Sequence, residues 1–514
     1  MVATRSKLSM SLEIEDLPPE ADTASPTAVF QHSPTSPELK VEREPGCQPD
    51  EVYERLLPKW RGWIRRHLVK QLREEQKWMP DWQKRVRTEK RDKYFYWSAL
   101  FGTHTFFMTG LPMLFFFGQP RMGRDLLHVV GLGIYFSSVA KDLVCSPRPY
   151  SPPVIRISMS THAHEYGFPS SHSTNSVSTA LLLGQWIYQS RSWLGMPAVL
   201  GSWCFLALYA CSIVGGRVYT GMHSLSDILG GIVLGIGCWA GWLLAGDHYE
   251  AWLSTGSSSV PMFLIPLSLF LIHVHPEPVE DCPCFEDSIA IISVILGVSL
   301  GAWKMPGLPI RDITTYSPLE QGVISVMRIT VGIGLMFAWR IVMKSILLTI
   351  LPPIFRFFSN AFDFTLPTRR FYTAATDYHE VPSSPLRPIP SFVNLHRSPA
   401  FDSPDNTPLS SGTVSPITGR RGSNNLQVPL NSLHHRGKNV NGVKRSGSGD
   451  SASSVGSLTP DVWISKRKRK SRLERAHYDA EVLTKFGVYS GMGLLAGTLV
   501  ELFFALVERG VFGQ

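Results

Sequence analysis

The sequence predicts an all-α, polytopic membrane helix bundle with about eight or nine transmembrane helices. From Tyr94 onward, apolar segments recur that approach the roughly 17–25 residues a helix needs to cross a bilayer. Phe, Trp and Tyr make up 11% of the 514 residues, as is typical of proteins with aromatic belts at the membrane interfaces. The predicted spans lie near 94–117, 124–144, 174–191, 197–214, 225–246, 260–275, 286–303, 321–351 and 487–509.

Composition divides the rest of the chain. Residues 1–50 and 355–475 are rich in Ser and Pro and have too few apolar residues to form a core, so we expect a disordered tail and a disordered insert. Residues 51–93 place Trp and Leu at helical spacing among Lys and Arg, which predicts a basic amphipathic helix lying in the interface. Pro80 is expected to break that helix. The remaining spans are grouped as 94–246, 247–354 and 476–514.

The charge and the cysteines exclude some functions. The net charge of +9 arises largely from residues 59–93 and 466–475, which lie beside predicted membrane helices. Such flanks are typical of membrane proteins, so we expect no nucleic-acid partner. The seven cysteines show no zinc-binding spacing, but Cys282 and Cys284 could form a disulfide in an oxidising compartment.

Three short polar segments at the ends of spans carry the chemistry. Residues 141–149 (KDLVCSPRP) and 169–172 (PSSH) share the loop between the second and third predicted spans. The third span leaves that membrane face and the fourth returns to it, immediately before residues 217–227 (RVYTGMHSLSD). The three segments therefore reach the same face, where they could form one site.

Two histidines and a carboxylate are the candidate reacting groups. His223 and Asp227 are four residues apart, so on a helix they fall on one face and can touch. A carboxylate that accepts the Nδ1 proton would leave Nε2 as a nucleophile. His172 is suited to protonate a leaving alkoxide.

The other motif residues are suited to hold a phosphate. Arg148 and Arg217 can offer forked donors and Lys141 a point charge, while Ser170 and Ser171 precede a helix whose N-terminus favours an anion. Each residue alone has a simpler role, as an interfacial anchor, a helix cap or an i, i+4 pair. Those simpler roles do not explain why all these residue types meet on one face.

The combined pattern, K-x6-RP, PS-x-H and R-x5-H-x3-D, resembles the type 2 phosphatidic acid phosphatase (PAP2) superfamily of lipid phosphatases. The resemblance covers about 94–246 and implies a phosphatase core of the six-helix PAP2 type, a phosphohistidine mechanism and no metal or other cofactor. It assigns His223 as nucleophile, Asp227 as its partner and His172 as general acid. The resemblance assigns phosphate binding to Lys141, Arg148, Ser170, Ser171 and Arg217. Ser171 replaces a common glycine and Gly216 a common serine, and neither change removes a catalytic group.

Other segments resemble one branch of the superfamily. Residues 167–175 (GFPSSHSTN) and 217–227 (RVYTGMHSLSD) resemble the branch that acts on sphingoid base phosphates. Residues 478–493 (YDAEVLTKFGVYSGMG) are similar to the C-terminal end of fungal long-chain base 1-phosphate phosphatases. The expected substrate is therefore a lipid phosphate of that class. The alternatives are a phosphatidate, polyprenyl-diphosphate or sugar-phosphate phosphatase, an inactive lipid-binding relative, and a transporter. An inactive relative should lack a motif residue, and a transporter should spread its charges along helix middles.

The location follows from the resemblance and conflicts with the charge pattern. Membership of this branch implies the endoplasmic reticulum membrane with a luminal site. Two spans precede the site, so the N-terminal tail shares its face, yet the basic residues 59–93 favour the cytosol. The disordered segments suggest binding of cytosolic regulators, and no pattern in the sequence defines an oligomeric state.

Overall fold

The computed structural model describes residues 44–158, 165–305, 317–362, 368–369, 371–372, 375 and 479–512. Within these ranges the chain is helical and contains no strand, which confirms the predicted all-α class. Fourteen α-helices are described, α1 to α14 in chain order. They are α1 Asp50–Leu56, α2 Lys59–Val86, α3 Glu89–Ser98, α4 His104–Phe116, α5 Pro120–Val144, α6 Ser171–Gln189, α7 Arg191–Leu194, α8 Met196–Tyr219, α9 Leu225–Ser254, α10 Ser259–His273, α11 Cys284–Lys304, α12 Pro318–Phe362, α13 Ala480–Leu494 and α14 Val500–Phe512.

Each of the nine predicted spans corresponds to helical structure, but not all pass a test of length and hydropathy. In the described part of the chain, six helices pass alone, with α13 and α14 counted as one across a π-helical turn at Leu495–Leu499. A seventh passes if Glu89–Gly102 and Phe106–Phe116, bent by 49°, are counted as one span. Helix α6 does not pass, and α10 has only 15 residues.

Helix α6 is polar because it lies inside the bundle. It packs against α5, α8 and α9, so its Ser- and Thr-rich N-terminal half faces other helices. Helix α9 crosses it at Gly231 and Gly235, where an added Cβ would lie 2.5 Å from the carbonyl oxygens of Ser170 and Thr174 respectively. Small residues at this crossing bring the two backbones together, as is usual between membrane helices.

A second group of helices also packs against α5. Helix α11 contacts α5, α10 and α13, and α12 contacts α13. Buried Phe, Leu, Ile and Val side chains of α4, α5, α11 and the C-terminal helices form the largest apolar cluster. Although α10 is short, it returns the chain to the motif face, because His275 lies beside Asp142 with 3.7 Å between Nδ1 and Oδ2.

Helix α2 does not end at Pro80, so the expected break is wrong. The helix continues to Val86, with Met79 fully buried and the Gln83 amide donating to the carbonyl oxygens of Ile155 (3.0 Å) and Tyr219 (3.1 Å). A proline removes one backbone hydrogen bond from a helix. These contacts on both sides of Pro80 offset that loss.

Most of the predicted tail and insert lies outside the described residues. At the ends of these segments the structure differs from the sequence boundaries: α1 begins at Asp50, and α12 extends through residues 355–362. Both ends of the insert reach the motif face. Arg369 donates to the carbonyl oxygen of His275 at 3.0 Å, and Thr368 donates to Asp479 Oδ2 at 3.0 Å.

Candidate active site

The first motif begins where α5 ends. Lys141 lies in the last turn, and Cys145 takes a left-handed conformation (φ 54°) that terminates the helix. The following extended segment places Arg148 in the interior, 5% exposed. Burial lowers the pKa of Arg148, and the nearby Glu165 carboxylate opposes that shift.

The second motif forms the N-terminus of α6. Ser170 is the N-cap, and its side chain accepts a hydrogen bond from the Ser173 backbone N–H. Ser171 follows in the first turn and shares a hydrogen bond with Lys141 Nζ at 3.2 Å. A helix N-terminus with hydroxyls and a lysine beside it is suited to bind an anion.

Two backbone hydrogen bonds join the three motifs. The Ser170 N–H donates to the Asp227 carbonyl oxygen at 2.9 Å, and the Gly167 N–H donates to the Ser146 carbonyl oxygen at 2.8 Å. A Cβ at Gly167 would lie 2.6 Å from the Pro147 carbonyl oxygen, so only glycine allows this approach. The structure thus brings the motifs together, as the predicted topology required.

His223 lies in the tight loop between α8 and α9 and is 2% exposed. Its Nδ1 is 2.9 Å from the carbonyl oxygen of Gly167. Because a carbonyl can only accept, Nδ1 carries the proton and Nε2 keeps its lone pair. Burial lowers the pKa of His223 from 6.5 to about 4, while Asp227 opposes the shift. The ring is therefore neutral near pH 7.

Asp227 does not hold His223 in the way the spacing suggested. Its Oδ2 lies 3.7 Å from His223 Nδ1, which is longer than a hydrogen bond. Instead, Asp227 and Ser224 form a capping box at the start of α9, in which Oδ2 accepts the Ser224 N–H at 2.8 Å. Asp227 thus fixes the loop that carries His223 and adds a negative charge beside the ring.

Glu165 contacts two of the cations predicted to bind phosphate, and the sequence reasoning missed it. Its Oε2 is 2.7 Å from Lys141 Nζ and 3.2 Å from an Arg148 guanidinium nitrogen. Arg148 Nε also donates to the Glu165 backbone carbonyl at 3.0 Å. A single Glu two residues before Gly167 offered no spacing signal for this role.

Arg217 differs from the other two cations. It lies in the last turn of α8 and is 5% exposed. Its Nε is buried and has no hydrogen-bond partner among the residues that the structure describes. A buried guanidinium group in this state is suited to receive an anionic ligand.

His172 lies in the first turn of α6, one residue after Ser171, and is partly exposed. The backbone at Gly102 lies against its ring, since a Cβ at that glycine would be 3.0 Å from His172 Cδ2. The more exposed position suits a group that exchanges protons with a leaving oxygen and with water.

Helix α2 contacts the first and third motifs, a role that the sequence reasoning also missed. Glu75 accepts the backbone N–H groups of Leu225 (2.6 Å) and Ser226 (3.2 Å) at the start of α9. Arg61 donates to the carbonyl oxygens of Asp142 and Leu143, both at 2.6 Å. The spacing of residues in α2 was a signal of this role. Glu75 falls on the same helical stripe as the apolar residues of α2, and the structure buries that stripe.

The cysteine pair lies on the same face. Cys282 and Cys284 form a disulfide and pack with Cys145 and Tyr166 in a small buried cluster. Among the residues that the structure describes, Asp142, Cys282 and Cys284 form the one group of possible metal ligands whose ligand atoms lie close together. A sulfur that is bonded in a disulfide is not a thiolate ligand.

Comparison with known proteins identifies the family of this chain. Residues 123–249 match the PAP2 superfamily. The chain is 38% identical over 274 residues to a dihydrosphingosine 1-phosphate phosphatase of Schizosaccharomyces pombe, which covers 52% of this chain and 65% of that protein. It is 32% identical over 326 residues to one of Saccharomyces cerevisiae (61% and 78%) and 29% identical over 278 residues to human sphingosine-1-phosphate phosphatase 2 (50% and 67%).

No solved structure matches the chain. The S. pombe alignment spans just under two thirds of that protein, whereas the S. cerevisiae alignment spans more than three quarters. The chain therefore belongs to the PAP2 superfamily, in the branch that includes these dihydrosphingosine 1-phosphate phosphatases.

Proposed function

We propose that this protein is a membrane lipid phosphatase that hydrolyses the phosphomonoester of sphingoid long-chain base 1-phosphates, such as dihydrosphingosine or phytosphingosine 1-phosphate. The observation that carries the chemistry is the hydrogen bond from His223 Nδ1 to the Gly167 carbonyl. It supports a neutral imidazole with Nε2 available for attack on phosphorus. The names of the relatives support the substrate class.

The reaction proceeds in two displacements. His223 Nε2 attacks phosphorus, the bond from phosphorus to the ester oxygen breaks, and His172 gives that oxygen a proton. Water then attacks the phosphorus of the phosphohistidine and gives a proton to His172. The bond between phosphorus and His223 Nε2 breaks, inorganic phosphate is released, and neutral His223 is regenerated. Lys141, Arg148 and Arg217 stabilise the charge on the phosphoryl oxygens, with the Ser170 and Ser171 groups at the N-terminus of α6.

We place the protein in the endoplasmic reticulum membrane with the site facing the lumen. The resemblance to the sphingoid-base branch supports the compartment. The Cys282–Cys284 disulfide lies on the motif face, and disulfides are typical of oxidising compartments and rare in the cytosol, which supports a luminal site.

The substrate claim is tested with purified protein in detergent. Dihydrosphingosine 1-phosphate, phosphatidate and polyprenyl diphosphate are compared at equal mole fraction in mixed micelles. We expect the highest kcat/KM for the sphingoid base phosphate. A clear preference for phosphatidate or polyprenyl diphosphate would refute the proposed substrate class, but the protein would still be a phosphatase.

A further inference from the structure

The feature that the proposed mechanism leaves unused is the Glu165 carboxylate. It is 8% exposed and lies within hydrogen-bond distance of two of the three cations assigned to the phosphate, Lys141 at 2.7 Å and Arg148 at 3.2 Å. A carboxylate in this position occupies the space next to, or partly within, the phosphate subsite.

This arrangement creates an electrostatic problem once substrate arrives. A phosphate dianion bound by Lys141 and Arg148 draws both cations toward itself and lies close to Glu165. Two anions then lie beside Lys141 and Arg148 in a site shielded from water, with Arg217 as the third cation assigned to the phosphate, and repulsion between like charges is strong there. A substrate that brings its own cation to Glu165 removes this repulsion, and a substrate without one does not.

A sphingoid base 1-phosphate carries such a cation. Its 2-amino group is protonated at neutral pH and is separated from the phosphoester oxygen by two carbon atoms. A phosphate in contact with Lys141 and Arg148 therefore holds the ammonium group within a few ångströms of a carboxylate that touches the same two side chains. Phosphatidate and polyprenyl diphosphates have no ammonium group at this position.

We infer that Glu165 binds the 2-ammonium group of the substrate and selects zwitterionic lipid phosphates over purely anionic ones. This inference deepens the proposed function and rests on it. In the structure Glu165 pairs with Lys141 and Arg148. With substrate bound, the phosphate pairs with these two cations and the ammonium group pairs with the Glu165 carboxylate.

The test uses two substrates that differ at the 2-nitrogen, dihydrosphingosine 1-phosphate, which carries an ammonium group there, and its N-acetyl derivative, which carries a neutral amide. We expect the full-length wild-type protein to prefer the free amine by about 10- to 100-fold in kcat/KM, the range expected of a charge-assisted hydrogen bond. In Glu165→Gln the ratio should fall to within about threefold, through loss of activity on the amine and gain on the amide. The same variant should be inhibited more strongly by inorganic phosphate, because no carboxylate competes for Lys141 and Arg148.

The matched control is Glu44→Gln. Glu44 is a carboxylate whose charge also acts on Arg148, but it pairs with Arg156 and contacts neither Lys141 nor Arg148. Its replacement should leave the ratio of the two substrates unchanged. If Glu165→Gln does not remain monodisperse in detergent, Glu165→Asp takes its place and should lower the ratio in part.

Several outcomes overturn the inference. If the wild-type protein turned over dihydrosphingosine 1-phosphate and its N-acetyl derivative equally, the inference would be wrong, but the proposed function would remain intact. An equal loss or an equal gain on both substrates in Glu165→Gln would make Glu165 a structural counterion or a general inhibitor. Unchanged inhibition by inorganic phosphate would place the carboxylate outside the phosphate subsite. Absence of any turnover of the sphingoid base phosphate by the wild-type protein would instead refute the proposed function itself.

Discussion

His223 and Gly167 are 56 residues apart in the sequence, yet the ring Nδ1 lies 2.9 Å from the glycine carbonyl oxygen. This contact fixes the tautomer of the proposed nucleophile, and Asp227, at 3.7 Å, contributes charge and holds the loop. The backbone of the second motif thus positions the histidine of the third.

The two histidines should respond differently to the leaving group. His223→Ala should abolish turnover and phosphoenzyme formation with every substrate. His172→Ala should lose roughly 10²–10⁴-fold on an alkyl phosphate, because a poor alkoxide must then leave unprotonated. Nitrophenolate leaves without a proton, so p-nitrophenyl phosphate should recover much of the loss for His172→Ala and none for His223→Ala. Equal rescue of both variants, or of neither, would reverse or refute the assigned roles.

The buried His223 should make stability dependent on pH. Its pKa falls from 6.5 to about 4 on folding, mainly because of burial. Between these values the unfolded state binds more protons, so the stabilisation is complete above pH 6.5 and is lost as pH falls toward 4. The slope approaches about 1.4 kcal/mol per pH unit. Thermal unfolding of detergent-solubilised wild type and His223→Gln should show a steeper acid loss for wild type. Parallel pH profiles would mean that His223 titrates normally.

The cap that Glu75 provides should stabilise α9 and the His223 loop. Its carboxylate accepts two backbone N–H groups at the start of α9. Glu75→Gln should cost about 1.5–3 kcal/mol, the range for hydrogen bonds to a charged group, and should also lower kcat. Glu74→Gln is the control, because Glu74 is 55% exposed and pairs with Lys77 on the surface of α2. The melting temperature of that control should match wild type. Equal shifts in both variants would assign the effect to net charge on α2.

These contacts also show what the sequence could and could not predict. The membrane class, the motif residues and their common face follow from hydropathy and spacing, since each motif lies at a helix end. The contacts of Glu165, Gly167 and Glu75 join segments from 17 to 151 residues apart in the sequence, and no local periodicity encodes them. The break expected at Pro80 failed for the same reason, because tertiary contacts on both sides stabilise the helix.

Catalysis should require no divalent metal. Three cations are already present to offset the phosphate charge, and the PAP2 resemblance implies a metal-independent reaction. Activity after dialysis against excess EDTA should equal that of untreated protein, and added Mg²⁺ should not raise it. Loss of activity that Mg²⁺ restores would contradict the phosphohistidine mechanism.

Both ends of the Ser- and Pro-rich insert should share a membrane face with the site. Thr368 and Asp479 are joined by a hydrogen bond, and Arg369 is bound to the carbonyl of His275, which lies beside Asp142. Epitope tags placed at 420–440 and at 277–281 should therefore show the same protease protection in sealed microsomes. A tag in the loop at 255–258 should show the opposite, because α9 begins at the site and carries the chain 30 residues away from it. A luminal site requires the first two tags to be protected, which would also place the insert out of reach of cytosolic regulators. Digestion of the tags at 420–440 and at 277–281 would place the site in the cytosol. Different results for these two tags would show that the insert and the site do not share a membrane face.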